Sequence, residues 1–257
     1  MKSTSIALLL GLAACTSKSE SSKTSAAPGT IDATRAAEIV AAADRTDKDR
    51  ETDKMRKPAE LLPFIGLAPG MHVADLGAGG GYSTELLARA VGPNGTVIAQ
   101  DSPHWDGPGM TKAWEARLAR PVLANTKHVM RGWNDPLPAD AHDLDVVTFI
   151  AAYHDVVAEK DDENKLNAAV FAALKPGGVY LVIDNSAKAD SGKAACEPLH
   201  RIDEKVVRDE VQSAGFKLAA ESAFMRNPAD TRDWNADPGA DPRTHTQDLF
   251  VLKFVKP

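Results

Sequence analysis

The sequence predicts an α/β fold: a doubly wound, largely parallel sheet whose last two strands form an antiparallel pair. Short apolar runs rich in β-branched residues alternate with amphipathic stretches of helical period, the pattern of a parallel sheet covered on both faces. Gly77, Gly79, Gly80 and Gly81 stand directly behind the first such run, giving strand, tight turn and helix in succession. The final two runs, 217–222 and 248–255, have no helix between them, so one of them must run antiparallel.

From Thr30 the period is helical, with Ile31, Ala36, Ile39 and Val40 on one side. The charged stretch 44–57 reads as a solvated helix surface, and Pro58 suits the first position of the next helix. Residues 71–76 form the first strand and 83–91 the helix after the glycines, with Leu86, Leu87, Ala90 and Val91 on its apolar face. The turn at 92–95 leads to a second strand at 96–100, ending at Asp101. A helix at 111–119 precedes a third strand at 128–132, and 144–152 has the continuous apolar character of a central strand. The helix 162–174 closes at the 175–178 stop, followed by a fifth strand at 179–184 and a helix at 202–216.

The chain has 257 residues, 43% of them hydrophobic, and a formal charge of -6. This suits one domain over 30–257 and argues against a nucleic-acid partner, since no basic run offers a field for a polyanion. Residues 1–15 have the layout of a secretion signal: Lys2, an apolar stretch too short to span a bilayer, then small residues before Cys15. Leu12–Cys15 resembles the lipobox of bacterial lipoproteins, which implies lipidation of Cys15 and a lipid-anchored domain in the cell envelope, facing the periplasm, with the outer membrane favoured. If the lipobox is not used, the chain is cytoplasmic. The Ser- and Thr-rich residues 16–29 read as a flexible tether, and the second cysteine, Cys196, has no expected disulfide partner.

The ligand of the glycine turn follows from its charge. A nicotinamide-binding turn spaces its glycines G-x-G-x-x-G and holds a pyrophosphate on the next helix. Here Asp75 stands two residues before Gly77, and a carboxylate beside the turn disfavours phosphate and favours a cationic group. The stretch "DLGAGGG" (75–81) resembles motif I of class I S-adenosylmethionine-dependent methyltransferases. The likeness extends over most of 61–257, through Asp101, "FIAAYHD", "ALKPGG" and the terminal strand pair, and is nearest to bacterial methyltransferases with a secretion-type N-terminus. It implies a Rossmann-like doubly wound seven-stranded sheet with an antiparallel C-terminal hairpin, and S-adenosylmethionine as cofactor. Carried onto this chain, it implies that Gly77, Gly79 and Gly81 let the backbone pass the cofactor and that Asp75 sits near its cationic amino group. Asp101 is then either the acceptor of the ribose hydroxyls or a strand-end turn residue. Asn134 and Asp135 are either adenine-binding or an Asx turn before Pro136.

Methyl transfer from a sulfonium needs in-line alignment and, for a hydroxyl acceptor, a proton acceptor. Tyr153, His154 and Asp155 follow the central strand, so His154 is the candidate base, Asp155 its orienting carboxylate and Tyr153 a pocket wall. Asp184, Asn185 and Asp155 resemble part of the magnesium set of cation-dependent O-methyltransferases, but Ile150 and Ala151 stand where that set requires an aspartate, so no metal is expected. His200 and Arg201 read either as the solvent-facing start of a helix at the rim or as pocket residues, and His72, His128, His142 and His245 as structural or surface residues. The Pro- and Asp-rich insertion 227–247, which contains Trp234, is either a substrate lid or a surface loop. Two functions follow: a methyltransferase acting on a small-molecule or envelope acceptor, or a non-catalytic envelope lipoprotein binding an adenosine-like or other small ligand. The second arises because the cofactor is cytosolic while the signal points outward.

Overall fold

The computed structural model describes Met1 and residues 29–257; the signal-like segment, Cys15 and the tether up to residue 28 lie outside the described residues. Its strands are β1 His72–Leu76, β2 Thr96–Asp101, β3 Thr126–Met130, β4 Leu144–Ile150, β5 Leu174–Asn185, β6 Lys217–Ser222 and β7 Leu249–Val255. They form one seven-stranded sheet in the order β3-β2-β1-β4-β5-β7-β6. The strands from β3 to β5 pair in parallel, and β7 inserts antiparallel between β5 and β6. The order reverses between β1 and β4, where doubly wound sheets open a crevice at the carboxyl ends of their strands.

Side chains alternate across this sheet and feed two cores. Ala74, Leu76, Val147, Phe149, Tyr180 and Val182 pack on one face, while Val73, Val146, Ile150, Leu181 and Ile183 pack on the other. The second face is covered by α1 Ala33–Ala41, α3 Pro58–Ile65 and α4 Tyr82–Val91. The first is covered by α6 Tyr153–Ala158, α7 Glu163–Ala173 and α9 Glu204–Ser213. Burial on both faces explains why these strands read as continuous apolar runs.

Capping sets the helix starts. Asp32, Asp162 and Asp203 each accept a backbone N–H of the first turn of α1, α7 and α9. Between α3 and its predecessor α2 Asp47–Arg56, Lys57 adopts φ 45°, which turns the chain sharply before Pro58 takes the first position of α3. The remaining helices are α5 Pro108–Leu118 and the four-residue α8 Cys196–Leu199.

Several boundaries differ from the sequence pattern, two of them in the sheet for a reason of pairing. The third strand is shifted two residues earlier, to Thr126–Met130, because pairing to β2 fixes its register rather than its own weak apolar content. The 175–178 stretch, which reads as a helix stop, belongs to β5, and the pairing of β4 with β5 skips register between Leu144 and Val146 to admit it.

Candidate active site

At the carboxyl ends of β1 and β4 lies a cavity of about 640 Å³, a volume suited to a small-molecule ligand. Its walls are the glycine turn, the start of α6, the helices α2 and α3, and the 227–247 insertion, which contributes Ala236, Asp237, His245 and Gln247.

The glycines of the turn serve different ends. A Cβ on Gly77 would stand 2.6 Å from the Ala152 Cβ, and one on Gly81 would stand 3.0 Å from the Trp114 ring, so both are required by the protein's own packing. Gly79 and Gly80 line the cavity with nothing within 4 Å of a Cβ position, and Gly79 has φ +57°. This is the part of the turn where a ligand can press against bare backbone.

The two carboxylates behind the turn do not reach the cavity. Asp75 pairs across the sheet with Thr148, and its Oδ1 accepts from the Thr148 hydroxyl at 2.7 Å while its Oδ2 accepts from Thr84 at 2.6 Å. Burial pushes its carboxyl up to about 6, against the hydrogen bonds from Thr84 and Thr148 that favour the charged form. Asp101 is fully buried. It accepts the Gly79 N–H at 2.6 Å and the Trp114 indole N–H at 2.8 Å, and meets His128 Nε2 at 2.9 Å. Trp114 stacks on His128 with ring centroids 4.1 Å apart, so Asp101 ties the glycine turn to β2 and α5 with both oxygens engaged.

Asn134 and Asp135 stay outside the cavity. Asn134 bridges to Asp161 and to the Asp162 N–H, and Asp135 pairs with Arg131. Trp133 of the same loop points inward instead: its indole and that of Trp105 both donate to Glu159, at 2.6 and 2.8 Å. Trp105 and Met110 line the cavity, with the Trp105 ring 3.4 Å from a Cβ position on Gly77.

The stretch read as solvated surface is an interface. In α2, Asp53 binds Arg45 at 2.7 Å and accepts from the Tyr82 hydroxyl at 2.7 Å, while Asp49 pairs with Arg117 at 3.0 Å. Arg117 also reaches the buried Glu85 at 2.7 Å, locking α2 onto α4 and α5. These links carry Arg56 to the cavity wall, where its buried Nη1 has no hydrogen-bond partner among the described residues. Burial holds its guanidinium below the usual value, with Tyr82, Asp184 and Asp75 opposing that effect. An unsatisfied guanidinium facing a cavity is a site for an anion.

His154 also lines the cavity. Asp184, rather than Asp155, orients it: Asp184 Oδ1 meets the imidazole Nδ1 at 2.8 Å and Oδ2 accepts the His154 backbone N–H at 2.8 Å. Asp155 lies 3.4 Å from Nε2, beyond hydrogen-bond reach. Burial alone would lower the imidazole pKa, but Asp184 and then Asp155 outweigh it and raise it to about 9. Tyr153 does not form a cavity wall; it is fully buried, donates to Glu210 at 2.8 Å and accepts from Asn167. Arg201 is not a solvent-facing helix start. It is fully buried, bound to Asp230 at 2.8 Å and to the Trp234 carbonyl at 3.0 Å, and so fastens the insertion over the cavity. Sequence reasoning missed Arg56, which stands in a run of charged residues; Arg201, read at the rim, is buried beneath the insertion, and His245, read as structural or surface, lines the cavity.

Residues 42–105 match the family model described as Protein-L-isoaspartate(D-aspartate) O-methyltransferase (PCMT). The chain is 28% identical over 137 residues to the ubiquinone/menaquinone biosynthesis C-methyltransferase UbiE of Vibrio parahaemolyticus, covering 53% of this chain and 48% of that protein. It spans about half the length of such curated relatives. A SAM-dependent methyltransferase from Aquifex aeolicus superposes with TM-score 0.59 at 18% identity, over 83% of this chain and all of that one. The [4+2]-cyclase SpnF superposes with TM-score 0.57 at 14% identity, over 78% of this chain and 82% of that one. The fold of this chain is therefore the Rossmann-like methyltransferase fold, with the antiparallel C-terminal strands β5-β7-β6.

Proposed function

We propose that the protein is an S-adenosylmethionine-dependent methyltransferase acting on a small-molecule or envelope acceptor. One observation carries this reading: the open backbone at Gly79–Gly80 and the Arg56 Nη1, unpartnered among the described residues, face the same cavity. An amino-acid carboxylate suits Arg56, and a chain lying flat against backbone suits Gly79 and Gly80. Trp105 and Met110 give the nucleoside end an apolar wall, and Asp75 acts from behind Thr148. Bound there, the cofactor supplies an electrophilic methyl group.

The rest falls to this chain's residues. The insertion and α2 wall the cavity and exclude water, while Arg56 orients. His154, held by Asp184, directs Nε2 into the cavity on the acceptor side. The matched family model and each relative named above are enzymes, which does not favour the non-catalytic alternative. The lipobox-like residues 12–15 favour an envelope location, and labelled palmitate incorporated by the wild type but not by Cys15→Ser is the expected result.

Transfer of a labelled methyl group from S-adenosylmethionine into an envelope extract, with stoichiometric S-adenosylhomocysteine, is the expected outcome for the full chain. Cofactor binding without any transfer product across small-molecule and envelope fractions would contradict the enzymatic reading.

A further inference from the structure

The chemistry of the acceptor wall extends beyond a histidine and its orienting carboxylate. His154, Asp155 and His200 each bring one donor atom to within 4.8 Å of the others. Asp155 Oδ1 is the shared corner, 3.4 Å from His154 Nε2 and 3.5 Å from His200 Nδ1. These separations are too long for hydrogen bonds, yet two donors about 2.1 Å from one ion at a tetrahedral angle stand about 3.4 Å apart.

The surroundings are built for such a set. Asp184 grips His154 through Nδ1, which leaves Nε2 directed at Asp155, the carboxylate–histidine arrangement that orients a metal-bound imidazole from behind. His200 is fixed by its left-handed backbone at the end of α8. A separate observation also points to a ligand: Asn185, 4% exposed, lines the same cavity with its Oδ1 unpartnered among the described residues. Its Nδ2 donates to the His200 carbonyl at 3.0 Å, which commits the amide oxygen as the free acceptor.

We propose that His154 Nε2, Asp155 and His200 Nδ1 bind a divalent first-row transition cation, with Asn185 Oδ1 as a further oxygen donor and the open position facing the cavity. Two imidazoles and a carboxylate select borderline ions such as Zn²⁺ or Co²⁺ over the hard ions Mg²⁺ and Ca²⁺. The sequence reading expected no metal, and this set differs from the incomplete magnesium set it weighed, in which Asp184 stood as a ligand. Asp184 is already committed, to the His154 ring and to the backbone N–H groups of His154 and Asn185.

The test is a Co²⁺ titration of the metal-free, untagged full chain in the absence of S-adenosylmethionine, so its outcome is separate from that of the methyl-transfer assay. Visible d–d bands saturating at one ion per chain and displaced by Zn²⁺ are expected. Affinity should fall at least tenfold in His200→Ala and in Asp155→Asn, and stay unchanged in His142→Ala, an exposed residue outside the cavity. Absence of a one-equivalent endpoint, or affinity unchanged in both site variants, overturns the proposal. X-ray absorption of the Zn²⁺-loaded wild type needs no variant: a first shell with two imidazoles supports the site, and an all-oxygen shell overturns it.

Discussion

Gly77 and Gly79 lie two residues apart in one turn and answer to different constraints. An alanine at position 77 places its Cβ 2.6 Å from Ala152 and keeps a positive φ. Gly77→Ala is expected to cost about 3 kcal/mol, read as a lower urea midpoint. Gly79→Ala meets only backbone strain of about 1 kcal/mol, so it should fold and lose ligand affinity in calorimetry. Equal effects of the two on stability would contradict the division of roles. Asp75 makes a pH prediction. Its folded pKa, about 6, is raised above the ordinary 3.8. The protonated carboxyl therefore contributes stability that is complete below pH 3.8 and is lost as pH rises through about 6. That contribution is about 3 kcal/mol. Denaturation of Asp75→Asn across this window should be flatter with pH than that of the wild type, and parallel curves would contradict the assignment.

At the scale of elements, two segments that read as solvated or peripheral form the cavity walls. α2 has almost no apolar stripe, so periodicity assigns it to solvent. Its partners, such as Arg117 for Asp49, are 68 residues away, and no local pattern announces a pairing at that distance. The 227–247 insertion is legible as an unusually long connection, but its closure is not. It depends on Arg201, which a short polar stretch gave no reason to bury. Arg201 and Asp230 side chains are both fully buried, so Asp230→Ala leaves a buried guanidinium without its counter-ion. A loss of about 4 kcal/mol is expected, with new protease cleavage inside 227–247. Wild-type resistance to cleavage in that variant would show that the pair does not fasten the insertion.

For the whole molecule, seven strands, their alternation with helices and the antiparallel member at the C-terminus were legible because burial on both faces imposes continuous apolar runs. The site was legible in part. The glycine turn and His154 follow directly from strand ends, where sheet topology places ligands. Asp101 and Tyr153 have suitable chemistry at suitable positions, yet Trp114 and His128 claim the first and Glu210 and Asn167 the second, and such competition depends on residues distant in sequence. Arg56 was hidden by its charged neighbours. It supplies the most direct test of the central claim, that the glycine turn and Arg56 together hold the amino-acid end of S-adenosylmethionine. Because its Nη1 has no hydrogen-bond partner among the described residues, Arg56→Ala should preserve the fold. Calorimetric titration of the full chain with S-adenosylmethionine should give one site per chain in the wild type and at least tenfold weaker binding in Arg56→Ala. No heat in the wild type, or equal affinity in the two proteins, would contradict the account.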